Sequence, residues 1–293
     1  MPFLRRRARS YRVAARALLV PAIVVSATAV RVAPAGTSAA EAASIGHGTI
    51  TVLHVPSEDH DVPVRDVWVY RPGVPDSRTL PVVYFLHGLP GAASDLFAHG
   101  GAAVLDRMFG SGTPPFVVAC LTGTGHAHVD TEWADSVDGR DRLETYLFSR
   151  VIPAVEGRNR RDARHRFVAG FSMGGYGAVN LALRHQSAFA GAASFAGYFH
   201  IDDPDDVFGR NPAVEAANDP EDLVHTDKRV QFWLGDGASD DEPVVEGESQ
   251  RFAKLAGPLV APGDLVIAPG THSWSFVLAH LPDLGRFVAQ LSR

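Results

Sequence analysis

The segment Gly170-Phe171-Ser172-Met173-Gly174-Gly175 constrains this chain more than any other feature. It fits the pattern G-x-S-x-G, in which a serine stands on a sharp turn from strand to helix with its hydroxyl exposed. Both flanks agree with that context. Arg166-Phe167-Val168-Ala169 is short and apolar and reads as a strand, and Tyr176 to His185 reads as a helix. The turn forces the serine backbone into a sparsely populated conformation. It also brings strand and helix almost into contact, so small neighbours are required, a need that Gly170 and Gly174 meet. The helix start aims backbone N–H groups and a positive dipole end at the serine. Without the flanking strand and helix, the same letters would be an ordinary Gly-Ser turn.

The rest of the chain repeats the strand and helix alternation. Thr49 to Val55 and Val64 to Tyr70 are rich in β-branched residues and predict two antiparallel edge strands. Pro81 to Leu86 and Phe116 to Leu121 are continuous apolar runs, as expected of strands covered on both faces. Residues 141–157 carry Leu143, Tyr146, Leu147, Val151 and Val155 at helical spacing. Further strands are predicted at Phe189 to Phe195, Val230 to Leu234 and Leu265 to Ala268, then a helix from Phe276 to Val288 interrupted at Pro282. The implied fold class is α/β, with a mostly parallel central sheet and helices on both faces. Residues 198–228 break the rhythm with Asp, Pro and Asn, either as a lid over the site or as a solvated connection.

The N-terminus follows a different logic. Arg5 to Arg16 is basic, Ala17 to Val30 is uncharged and apolar, and small residues follow at Ala33-Pro34-Ala35 and Ser38-Ala39-Ala40. That order is the order of a secretory signal, and the apolar run is short for a membrane span of about 20 residues. Residues 1–43 are therefore read as a signal peptide, with an uncleaved membrane anchor as the alternative, and 44–293 as the folded domain. The expected location is extracellular or in the cell envelope. A net charge of −6 excludes a general basic field for nucleic acid. The single cysteine, Cys120, lies in an apolar strand and cannot form an internal disulfide. Among the 13 histidines only His126 and His128 sit close together, so no metal site is expected.

A serine hydroxyl needs a histidine base, and that histidine needs a carboxylate to fix its tautomer. The partners should follow Ser172 at the carboxyl ends of later strands. His272 follows the last strand; His225 and His280 compete with it, the first ahead of a strand and the second inside a helix. The strand before ends in Gly235-Asp236-Gly237-Ala238-Ser239-Asp240-Asp241-Glu242. Asp240 is preferred, because a Gly-x-x turn swings its carboxylate back toward the histidine, with Asp236, Asp241 and Glu242 as alternatives. The oxyanion donors expected are the N–H of Met173 and that of Leu89, since Pro90 has none. His87 reads as a residue that shapes this loop.

Together these stretches resemble the putative-esterase family of α/β-hydrolases, which includes esterase D type enzymes, feruloyl-esterase-like domains and the mycolyltransferases of the antigen 85 complex. The matching segments are Pro81 to Gly88, Glu144 to Leu147, Gly170 to Ala178, Gly237 to Asp240 and Gly270 to Trp274. The resemblance implies acyl-ester chemistry without a cofactor, on a small or carbohydrate-linked ester, and supports Asp240 through the family's G-x-x-D turn. Mycolyltransferases tend to carry Ala-Ala where this chain has Gly174-Gly175, so the hydrolase branch is the nearer one. An exported acyltransferase and a non-catalytic cell-wall binding protein are the competing expectations.

Overall fold

Alternating apolar residues give the first two strands, Gly46–Pro56 (β1) and Val64–Gly73 (β2), which pair antiparallel. The computed structural model describes residues 46–59, 61–201, 203, 205–226 and 229–293. The expected leader, residues 1–43, lies outside the described residues. Val82–Leu86 (β3), Val117–Leu121 (β4), Arg166–Phe171 (β5) and Gly191–Phe195 (β6) are buried at every position. Gln231–Gly237 (β7) and Leu265–Ala268 (β8) complete an 8-stranded sheet in the order β1-β2-β4-β3-β5-β6-β7-β8. From β4 to β8 all neighbours are parallel. β2 pairs with β4 as well as β1, so only β1 of the two expected edge strands lies at an edge.

Side chains alternate between two cores, as a pleated strand requires. Val82, Tyr84, Leu86 and Val168 face one side, with Leu181 and Phe252 from helices Met173–Arg184 and Glu248–Ala256. Val83, Phe85, Phe167 and Trp233 face the other, with Leu105 and Leu284 from helices Gly101–Gly110 and Trp274–Leu291. Helices on both faces of a mostly parallel sheet make this an α/β fold.

Four elements differ from the expectation. Helices Gly101–Gly110 and Glu248–Ala256 were not signalled, since the first is bounded by glycines and the second follows an acidic loop. The run from Leu143 to Glu156 is helical but contains a π turn at Leu147–Val151. The last helix passes through Pro282 without a break. Its buried stripe of Leu281, Leu284 and Phe287 holds it on the sheet and offsets the backbone hydrogen bond that proline cannot make.

The described parts of 198–228 are tied into the body. Val207 and Phe208 are buried, the Tyr176 hydroxyl donates to Asn218 O at 2.6 Å, and Glu221 N donates to Phe199 O at 3.1 Å. Among the described residues no helix is long and apolar enough to cross a membrane.

Candidate active site

Parallel strands present their carboxyl ends on one edge of the sheet, and four loops meet there. Ser172 follows β5 and opens helix Met173–Arg184 with φ 58° and ψ −122°, a left-handed conformation for a residue with a side chain. Its N–H donates to Phe195 O at 2.9 Å, while Gly175 and Tyr176 donate to its carbonyl. The turn is possible only with glycine on either side. A Cβ on Gly170 would lie 2.1 Å from Gly174 O, and one on Gly174 would lie 2.2 Å from Leu86 O.

His272 and Asp240 come together at the ends of β8 and β7. The His272 Nδ1 lies 3.0 Å from Asp240 Oδ2. A carboxylate only accepts, so Nδ1 carries the proton and Nε2 is left as the base. The Asp240 side chain is almost fully buried and that of His272 is about one fifth exposed, 21%. The expected Gly-x-x turn is present, with Asp240 N donating to Gly237 O at 3.0 Å. Ala238 N and Ser239 N donate to Ala268 O and Gly270 O, which fastens the acid loop to the histidine loop. The His272 ring packs on Phe171, next to the serine, with centroids 4.7 Å apart. The Ser172 hydroxyl makes no hydrogen bond among the described residues; such links often tighten only when substrate binds.

The loop after β3 lies against the serine. A Cβ on Gly88 would fall 2.9 Å from Ser172 Cβ, so the backbone of His87-Gly88-Leu89 runs beside Ser172. Met173, the other expected donor, is the first residue of the helix.

A family model described as putative esterase matches residues 64–276. This chain belongs to the putative esterase family. Esterase Rv1288 of Mycobacterium tuberculosis H37Rv is 32% identical over 151 residues, 45% of this chain and 32% of that protein. The chain thus spans about a third of the length of the curated relatives it matches. Among solved structures, a ferulic acid esterase superposes with a TM-score of 0.70 at 21% identity, covering 84% of this chain and 99% of that one. An S-formylglutathione hydrolase from Agrobacterium tumefaciens gives 0.69 at 21% identity, covering 86% and 99%. These likenesses establish the α/β-hydrolase fold.

Within this esterase-family site, the competing acids and histidines are accounted for elsewhere. Asp241 and Glu242 are exposed, while Asp236 points away from His272 and accepts from Ser249 Oγ at 2.8 Å. His280 pairs with Asp283 at 2.7 Å within the last helix, and His225 sits in the short helical turn Val224–Thr226. His128 Nδ1 meets Asp141 at 2.8 Å, and Asp141 also accepts the backbone N–H groups of 126–128, so both serve the loop's shape. Among the described residues no group of three or more His, Cys, Asp or Glu side chains is arranged to hold a metal.

His87 has the loop-shaping role expected of it. It is buried, and its Nε2 accepts from Gly123 N at 2.9 Å, which leaves Nδ1–H to donate to Gly88 O at 2.8 Å. Burial pushes the imidazole down from its ordinary value, against the opposing pull of the Gly88 bond, and so favours the neutral ring. Sequence reasoning missed Trp133. Its indole N–H donates to His87 O at 3.1 Å, and its Cβ lies 2.6 Å from where a Cβ on Gly177 would stand. Trp133 thereby braces the loop after β3 against the helix Met173–Arg184, from a left-handed backbone at φ 54°. A lone tryptophan in a polar stretch was the only available signal. Beyond Phe171, the rings of Trp274 and His99 extend the wall of the site outward, Trp274 and His99 stacking at 5.4 Å.

Proposed function

We propose that this protein is a secreted serine esterase that cleaves a carboxylic ester through Ser172, His272 and Asp240 and an acyl-enzyme. The observation that carries this reading is the His272 Nδ1 to Asp240 Oδ2 hydrogen bond of 3.0 Å, beside a strained serine turn. His272 Nε2 takes the Ser172 proton as the hydroxyl oxygen attacks the ester carbonyl carbon. Asp240 stabilises the imidazolium that forms. The negative oxygen of the tetrahedral intermediate is held by the N–H groups of Met173 and Leu89. Collapse breaks the bond to the alcohol oxygen, which leaves with the proton from His272. Water then attacks the acyl-enzyme, gives its proton to His272, and releases the acid and free serine.

Transfer to an alcohol in place of water shares the first half of this sequence. The Gly174-Gly175 pair supports the hydrolase branch as the nearer one, since the mycolyltransferases tend to carry alanines there and this backbone is built for glycine. A Cβ on Gly175 would lie 2.5 Å from Ser194 Oγ. Export is part of the proposal and rests on the basic, apolar, small-residue order of 1–43.

The test is hydrolysis of 4-nitrophenyl acetate with a sugar present beside water. The account expects free acid as the product, and a loss on the order of 10³-fold or more in Ser172→Ala. Unchanged turnover in Ser172→Ala would overturn the assignment.

A further inference from the structure

The triad leaves one buried carboxyl unused. Asp236 lies near the carboxyl end of β7, on the same strand that leads into the Asp240 turn, and is only 5% exposed. Oδ1 accepts from Ser249 Oγ, whereas Oδ2 is buried without a hydrogen-bond partner among the described residues. Alternation along β7 puts Asp236 on the face of Leu234, which is covered by helix Glu248–Ala256.

The charged groups that act on it most strongly are acidic. Asp240 approaches from the following loop and Glu248 from the covering helix. Glu248 is itself occupied by Phe199 N, His200 Nδ1 and Arg251. On either side, β6 offers the Ser194 hydroxyl and β8 has no titratable side chain. His280, Asp283 and Arg286 belong to the last helix, which packs on the opposite face. An ionised carboxylate in such a place has lost its water, meets like charges and leaves one oxygen unsatisfied.

We propose that Asp236 is a positioning residue that holds its proton on the acid side of neutrality, where a solvent-exposed carboxyl has already lost it, letting the covering helix pack on β7 and leaving Asp240 as the one carboxylate acting on His272. This rests on the triad reading above. Loss of that proton to hydroxide places a second negative charge behind Asp240 and loosens the acid loop, so activity falls on the alkaline side. Burial is the main cause of an upward shift of the Asp236 carboxyl to about 7, with Asp240 and Glu248 adding to it against the Ser249 hydrogen bonds. The folded protein then holds this proton where the unfolded chain has lost it. The stability that Asp236 contributes is complete below the ordinary carboxyl value of 3.8 and is lost as pH rises through about 7.

Asp236→Asn tests this, because asparagine copies the shape of the protonated acid and cannot ionise. Melting temperature and the pH profile of kcat/KM on 4-nitrophenyl acetate are compared with wild type between about pH 5 and about pH 9. The expected result is equal kcat/KM within about twofold at the acid end. At the alkaline end the variant melts several degrees higher and keeps activity where wild type has lost about threefold or more. Superimposable pH profiles, a variant less stable at both ends, or a variant that fails to fold would each overturn the proposal. The same melting comparison in a Ser172→Ala background reads the Asp236 proton without reference to turnover. Unchanged turnover in Ser172→Ala would count against the triad and not against Asp236.

Discussion

Asp236, Asp240, Asp241 and Glu242 lie within one short stretch, and each carboxyl meets a different environment. Asp240 is held twice, by His272 at Oδ2 and by Glu242 N at Oδ1, 3.1 Å away. Asp241 and Glu242 face solvent, and Asp236 faces a helix. Exchanging Asp240 for asparagine keeps the shape but lets Nδ1 of His272 take the wrong tautomer. Asp240→Asn is therefore expected to lower kcat by about 10³- to 10⁴-fold, and Asp241→Asn to leave it within about twofold, measured side by side on one ester. Inactivity of Asp241→Asn with normal Asp240→Asn would move the acid by one residue. The contact of Asp240 with His272 was legible because a Gly-x-x turn has a local geometry. The bracing by His87 and Trp133 was not, because each depends on a partner brought close only by the fold: Gly123 for one, His87 and Gly177 for the other.

The strand β5, the serine turn and the helix after it form one mechanical unit. Gly174 is where the helix crosses the end of β3, and the atom a side chain would strike is a backbone oxygen that cannot swing away. Gly174→Ala is expected to cost about 1–3 kcal/mol of stability and to displace Ser172, lowering kcat more than it raises KM. Thermal melts together with initial rates check it; a variant of full stability and activity would contradict the close packing described. Apolar runs and a glycine-serine signature made the strands and this helix readable. Helix Gly101–Gly110 was not, although Leu105, Met108 and Phe109 stand at i, i+3 and i+4, because glycines at both ends leave a short span without a side-chain cap to mark it. Pro282 misled in the other direction, because tertiary packing carries that helix through a residue that breaks isolated ones.

Across the whole molecule, polar groups divide between the two ends of the sheet. At the amino end of β5, Arg166 forms a two-pronged pair with buried Glu156, which also accepts from Tyr84 and Arg161 N. Burial pushes Glu156 up, but these partners more than offset it and hold the carboxyl below its ordinary value. That end is built for stability, and the carboxyl end, where loops from β3, β5, β7 and β8 meet, is built for chemistry. The α/β architecture and the placement of Ser172, Asp240 and His272 after β5, β7 and β8 were readable because they follow from strand order and loop position alone. The most direct test of the account is labelling of the folded protein with a 4-nitrophenyl dialkyl phosphate, followed by intact mass and peptide mapping. The account predicts one dialkylphosphoryl group per chain, on Ser172, appearing in step with loss of esterase activity. Loss of activity with the group on another residue, or full activity with Ser172 labelled, would contradict it.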